Sequence, residues 1–315
     1  MKPISPHTYS ERNFVRSKVD LTNELGQIEI GPYKFYPLLI GYLDNLFLGQ
    51  IDLKNTYKKS IRSLFGVLKN AILFKRIQVE TEVLMISSNA QDSRYKQLLN
   101  PVVSQLSEAK IRSAHRGASE FLRAGSLIVI LHTFVLFLRS LTAVHSALQK
   151  IEDHQTELRR YKSYLVVTTF CQLYYALSSL RSMKHSRFRF LLVDWDHGGN
   201  QALLVLNAKL LKVPSATLVH GNIAVPTKFV PLIADYCYVW GDLQESFFKD
   251  YGATDEMLKK VGLTSLKYPR PDDSKEIVKT IPTRPKYWIG YAEQRVGSLD
   301  NFTIAKELNK CLQIL

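Results

Sequence analysis

Short apolar runs, each followed by a polar loop and a segment of helical period, recur along the middle of the chain. Glu82-Val83-Leu84-Met85-Ile86 precedes the polar stretch Ser87 to Arg94. Behind that, Leu98, Leu99, Val102, Val103 and Leu106 keep the spacing of one helix face, with Pro101 as an internal irregularity. The series is clearest from Phe188 to Gly262. Phe190-Leu191-Leu192-Val193 leads into the loop Asp194 to Asn200, a helix-like segment from Gln201 to Leu211, and a second apolar run, Ala216 to Val219, closed by His220-Gly221. Tyr236 to Trp240 then ends at Gly241-Asp242, and Lys260-Val261-Gly262 completes the pattern. Strand-length apolar runs alternating with helices predict an α/β fold built on a Rossmann-like, doubly wound parallel sheet, whose carboxyl edge is where ligands bind.

The flanking segments read differently. Tyr36 to Leu48, punctuated by Gly41 and Gly49, predicts short helices. From Leu53 to Phe74, Ile61, Leu64, Phe65, Leu68 and Ile72 recur near helical period, and Lys58, Lys59, Arg62 and Lys69 supply a basic face. That helix is expected to cover one face of the following domain, ahead of docking on a membrane. Ile111 to His115 suits a second strand, Ser140 to Arg160 a helix, and Leu165 to Leu180 a further helix. The basic group Arg181 to Arg189 reads as a solvated connection. Leu127 to Leu138 is about a dozen residues where a membrane span needs roughly 20, so it is expected as a buried helix or strand, ahead of an interfacial segment lying on the membrane. The proline-bearing stretch Tyr268 to Pro285 reads as a linker, followed by a strand at Tyr287 to Tyr291, the loop Glu293-Gln294-Arg295 and a helix from Phe302. The predicted organisation is a helical N-terminal extension over 1–75, a Rossmann-like domain over 76–267, a linker over 268–285, and only the start of a second Rossmann-like domain over 286–315.

Composition narrows the partners. Forty-two Lys and Arg against 28 Asp and Glu give a net charge of +14, which favours an anionic ligand or surface. No zinc-finger spacing, RNA-binding aromatic signature or long basic block supports nucleic acid. Cys171, Cys237 and Cys311 are too few and too scattered for a disulfide framework or metal site. Met1 to Asp20 holds no apolar core of a secretory signal, so a cytoplasmic location is expected, and the basic charge leaves peripheral contact with the inner face of the plasma membrane open.

The chemistry concentrates in loops that follow strands. His197-Gly198-Gly199-Asn200 suits a tight strand-to-helix turn whose backbone N–H groups meet a phosphate or sugar, with Asp196 and His197 as substrate contacts. It lacks the three-glycine dinucleotide fingerprint and the Gly-Lys-Ser/Thr ending of a P-loop. Ser88 and Asn89 form a small polar loop that fits either ligand approach or an ordinary turn. His220-Gly221-Asn222 follows the second apolar run, and a histidine there can act as general base, bind a ligand, or cap local backbone groups. Asp194 and Asp196 support paired-carboxylate glycoside hydrolysis only weakly, and Asp196, His197 and His220 do not complete a metal site. Asp242 is expected to cap the helix Leu243 to Tyr251.

Taken in order, Leu191 to Asp194, Ala202-Leu203, Ala208 to Pro214, Thr217-Leu218-Val219-His220-Gly221, Ala234-Asp235-Tyr236, Val239-Trp240-Gly241 and Val261-Gly262 resemble part of the N-terminal domain of GT-B-fold glycosyltransferases of bacterial surface and capsular polysaccharide biosynthesis. The resemblance spans about 79 to 300 and is strong only from 189 to 262. It implies two Rossmann-like domains: an acceptor-side domain with His220 at the family's His-Gly position, and a donor-side domain that begins around Glu293, Gln294 and Arg295. It further implies transfer of a sugar from a nucleotide sugar, a co-substrate with no separate cofactor or metal, to a glycan or lipid-linked acceptor. Leu263 to Leu266 lacks the proline and acidic residue often found after the Val-Gly pair. A donor domain would need on the order of 100 more residues after Leu315, so a truncated and inactive half is one expectation. Two other readings stand beside it: a non-catalytic binding or scaffolding protein of the same glycan pathway, and a nucleotide-sugar epimerase.

Overall fold

A computed structural model describes residues 18–47, 53–72, 77–88, 93–123, 125–154, 159, 161–219 and 229–261. These belong to a unit that runs through Leu266. The predicted linker and the elements expected over 286–315, with Glu293, Gln294 and Arg295, lie outside the described residues.

The helical residues 18–25 (α1) lead into an antiparallel hairpin of β1 (Glu29–Ile30) and β2 (Tyr33–Lys34), turned at Gly31 with φ of 60°. Two helices follow, α2 (Phe35–Phe47) and α3 (Leu53–Ile72). The main sheet is then built from β3 (Val83–Ser87), β4 (Ser113–Gly117), β5 (Phe190–Val193), β6 (Ser215–Leu218), β7 (Tyr236–Val239) and β8 (Leu258–Lys260). All neighbours pair in parallel, in the order β4-β3-β5-β6-β7-β8. The fold is therefore α/β with a six-stranded, all-parallel, Rossmann-like sheet. Its central strands read as unbroken apolar runs because both faces are covered.

On one face, Leu84, Ile86, Leu191 and Val193 share a core with α2, α5 (Ala118–Leu122), α8 (Lys162–Lys184) and α9 (Gly199–Leu210). On the other, Met85, Leu192, Ala216 and Leu218 pack with Leu99 of α4 (Ser93–Glu108), a helix that continues through Pro101. Near the far edge, Cys237, Val239 and Leu258 meet Phe248 of α10 (Asp242–Asp250). The buried amide of Asn207 ties α9 to its neighbours. Its Nδ2 donates to the Ala176 carbonyl at 2.9 Å and to Ser179 Oγ at 2.8 Å, while Tyr33 Oη donates to its Oδ1 at 2.8 Å.

Three expectations need correction. Asp242 is the first residue of α10 rather than its cap, which is Gly241 without a side-chain bond; Asp242 Oδ1 instead pairs with Lys260 Nζ at 3.0 Å. The stretch expected as buried, Leu127 to Leu138, forms α6 (Leu127–Arg139), which buries only a narrow stripe including Val129 and Thr133 against α8. Its outward residues stay open to solvent. Likewise, α3 does pack on α8, but through Val67 and Ala71, while the larger apolar side chains Ile61, Leu64, Phe65, Leu68 and Ile72, expected on the covering face, are exposed.

Candidate functional site

Strand order points to a candidate site before any side chain does. From β3 the chain moves to β4 on one side, then returns through α5, α6, α7 (Leu141–His154) and α8 to β5 on the other side of β3. The winding reverses between β3 and β5, and the carboxyl ends of those two strands mark the switch point where open parallel sheets bind ligands. Ser87, Ser88 and Asp194 stand there. The Ser88 backbone N–H donates to Asp194 Oδ2 at 3.2 Å, and Gln201 Nε2 donates to Asp194 Oδ1 at 3.1 Å and also to Ser88 Oγ. Asp194 and Gln201 are buried, whereas Ser88 is exposed at the mouth. Ser87 Oγ and His115 Nε2 lie 2.8 Å apart, so β4 joins the same polar cluster.

The loop after Asp194 turns inward. His197 Nδ1 meets Asp44 Oδ2 at 2.9 Å, and His197 Nε2 meets the Pro231 carbonyl oxygen at 2.7 Å. Both ring nitrogens thus face oxygens that accept hydrogen bonds, which fixes the ring between α2 and the segment before β7. Asp44 also holds Lys18 Nζ at 2.6 Å and accepts from Tyr36 Oη at 3.2 Å, while Lys18 Nζ reaches the Val230 carbonyl at 3.2 Å. Asp196 Oδ2 accepts from the backbone of Ile233 at 2.8 Å and Ala234 at 3.1 Å. The four charged or ionisable residues Lys18, Asp44, Asp196 and His197 are only 1% to 4% exposed. Burial pushes the Lys18 amine below its usual range more than the adjacent Asp44 carboxylate raises it. Burial, reinforced by Asp44, also holds the Tyr36 phenol well above its own.

This clasp joins α1, α2, the β5–α9 loop and the segment before β7. It revises the sequence reading of Asp196 and His197, which lie inside the protein bonded to its own groups instead of standing at the open edge. The glycine pair has a packing reason as well. A Cβ on Gly41 of α2 would fall 2.8 Å from both the Cα and the N of Gly199, and one on Gly198 would strike the Gln201 side chain at 2.5 Å. These glycines let a helix and a side chain approach closely. Asn200, the next residue, is exposed.

Of the remaining candidates, Ser88 is at the switch point, and Asn89, His220, Gly221 and Asn222 lie outside the described residues. The strand leading to His220, β6, sits between β5 and β7. Further along the same edge, Trp240 follows β7 with its Nε1–H buried and without a hydrogen-bond partner among the described residues. Leaving such a donor unpaired costs about 1–3 kcal/mol. Among the described residues, no group of three or more His, Cys, Asp or Glu side chains could hold a metal ion. A shallow hollow of about 580 Å³, lined in part by Glu80, Thr81, Lys110 and Arg112, opens by the amino-terminal ends of β3 and β4. It is at the wrong end of the strands for a parallel-sheet site.

Sequence reasoning missed Lys18, Asp44, Gln201, His115 and Trp240. Asp44 carried a signal, since a lone carboxylate within the apolar run Tyr36 to Leu48 needs a buried partner. Comparison of the chain with protein-family models, with curated proteins and with solved structures gives no match.

Proposed function

We propose that the carboxyl edge of the sheet is the acceptor side of a glycosyltransferase that moves a sugar from a nucleotide sugar to a glycan or lipid-linked acceptor. The observation that carries this reading is the reversal of strand order at β3 and β5, with exposed Ser88 at the mouth and buried Asp194 and Gln201 behind it. Such a switch point offers hydroxyl, amide and carboxylate groups at close spacing, the chemistry that recognises sugar hydroxyls. The resemblance of the stretch 189–262 to GT-B enzymes supplies the reaction class.

In this proposal His220 takes the proton from an acceptor hydroxyl while that oxygen bonds to the anomeric carbon of the donor. The bond from that carbon to the nucleotide's phosphate oxygen breaks, and its electron pair leaves with the phosphate. No metal is required for the step. Ser88, Asn200 and the Trp240 indole contact the acceptor, and Asp196 and His197 position the loop from within. The donor-side contacts are assigned to the region of Glu293, Gln294 and Arg295.

The test is nucleoside-phosphate release by the full-length protein from a panel of nucleotide sugars, with soluble and lipid-linked glycans as acceptors. Acceptor-dependent release that drops by about 100-fold or more in His220→Ala, with an unchanged melting temperature, is expected for loss of a general base. Undiminished release in that variant removes His220 from the mechanism.

A further inference from the structure

The outward side of α6 carries an apolar stripe along its whole length, flanked by exposed His132 and Arg139. Leu127, Ile128, Leu131, Phe134, Val135 and Leu138 are 41% to 73% exposed, at spacings that place them on one face, opposite the stripe that packs on α8. Helix α3 contacts α6 and adds Ile61, Leu64, Phe65, Leu68 and Ile72, exposed by 36% to 73%. Apolar surface of this extent on two adjoining helices marks an interaction site.

Charge identifies the partner. Neither α3 nor α6 contains an Asp or Glu, and Lys58, Lys59, Arg62, Lys69 and Arg139 are all exposed. Lys58 and Arg62 stand three residues before Ile61 and Phe65, and Lys69 four after Phe65, so a basic row runs beside the apolar one. Two copies of this face would bring like charges together, whereas anionic headgroups would neutralise them while acyl chains take up the apolar residues. Among the described residues no single helix is long and apolar enough to cross a membrane, and α6 with α7 reaches that length only through a 63° bend. The geometry suits a helix lying in the interface rather than one crossing it.

We infer that the α3–α6 face docks the protein on an anionic lipid bilayer, with α6 embedded at the level of the headgroups and the basic row of α3 among them. The inference does not depend on the reaction assigned to the sheet edge.

Sedimentation of the full chain with phosphatidylcholine vesicles, with and without phosphatidylglycerol, tests it. Binding is expected only with the anionic lipid and should weaken as salt rises. Leu131→Gln with Phe134→Gln should reduce vesicle affinity about tenfold or more. Lys58→Gln, Arg62→Gln and Lys69→Gln should reduce it about fivefold each. The substituted side chains are exposed, so melting temperatures should hold. A separate Phe134→Trp variant should show blue-shifted emission on vesicle binding. Absence of binding to anionic vesicles overturns the inference, as does equal binding by the folded variants. A solution dimer that dissociates in Leu131→Gln with Phe134→Gln, without vesicle binding, would instead make the face a contact between copies.

Discussion

Asp44→Asn removes the one carboxylate shared by Lys18, His197 and Tyr36, and the size of the effect follows from what each partner loses. Asparagine offers a single acceptor oxygen where two oxygens now serve three donors at 2.6, 2.9 and 3.2 Å. Breaking a buried ion pair by deleting one partner costs about 3–5 kcal/mol. Lys18 sets a ceiling on its own share, because it can discharge. For an amine whose ordinary value is 10.5, losing the proton at neutral pH costs about 5 kcal/mol at most. With urea slopes of about 1–3 kcal/mol per molar, the unfolding midpoint should fall by at least about 1 M.

The sign with pH is also fixed. The folded Lys18 already binds its proton less tightly than the unfolded chain does, and without Asp44 it binds it less tightly still. Between the depressed folded value and 10.5 the unfolded state holds more protons, so stability recovers as pH rises. The deficit of Asp44→Asn should therefore be largest at neutral pH and below, and shrink towards pH 10. Adding Lys18→Met should offset part of the loss, giving a coupling of about 0.5–3 kcal/mol. Urea titrations followed by circular dichroism measure both. A deficit under about 0.5 kcal/mol, or additivity of the two substitutions, refutes the clasp.

Gly41→Ala should destabilise the fold although alanine favours helices, because the clash is with the backbone of Gly199 and α2 must move away. About 1–3 kcal/mol of overpacking against about 1 kcal/mol of helix propensity leaves a net loss, read as a lowered melting temperature, whereas Gly241→Ala, with nothing within 4 Å of its Cβ, should change little. Burial raises the phenols of Tyr33, Tyr36 and Tyr42 above their ordinary value of 10.0, so the folded state retains protons that the unfolded chain releases. Their contribution is fully present below pH 10 and is lost above it, by about 1.4 kcal/mol per pH unit for each phenol. Tyrosinate absorbance from these three should rise together with unfolding and not ahead of it.

The sheet was legible where strands are buried on both faces, since Leu84 to Ile86 and Phe190 to Val193 must then be apolar throughout. At the edge the signal thinned. Strand β4, with Ser113, His115 and Arg116, begins two residues later than expected, and the two-residue strands β1 and β2 are too short to carry a period. Hydropathy identified α6 as a strongly apolar element but could not tell an inward from an outward apolar face, so its exposed stripe came only from the packing on α8. Of the candidate site, the placement of Ser88 and Asp194 at strand ends was readable. The clasp was not, because Asp44 and His197 are 153 residues apart and neither has a local pattern that names the other.

The claim that the β3–β5 switch point receives the acceptor is tested most directly by filling it. Ser88 is exposed at the mouth, and Gln201 keeps its bond to Asp194 when it loses the one to Ser88 Oγ, so Ser88→Trp should fold with a melting temperature lowered by a few degrees at most, on the order of 1 kcal/mol, while its indole occupies the space. Nucleoside-phosphate release dependent on the glycan acceptor should then fall about 100-fold, as expected for displaced reactants. Full acceptor-dependent turnover in a folded Ser88→Trp protein would place the site elsewhere.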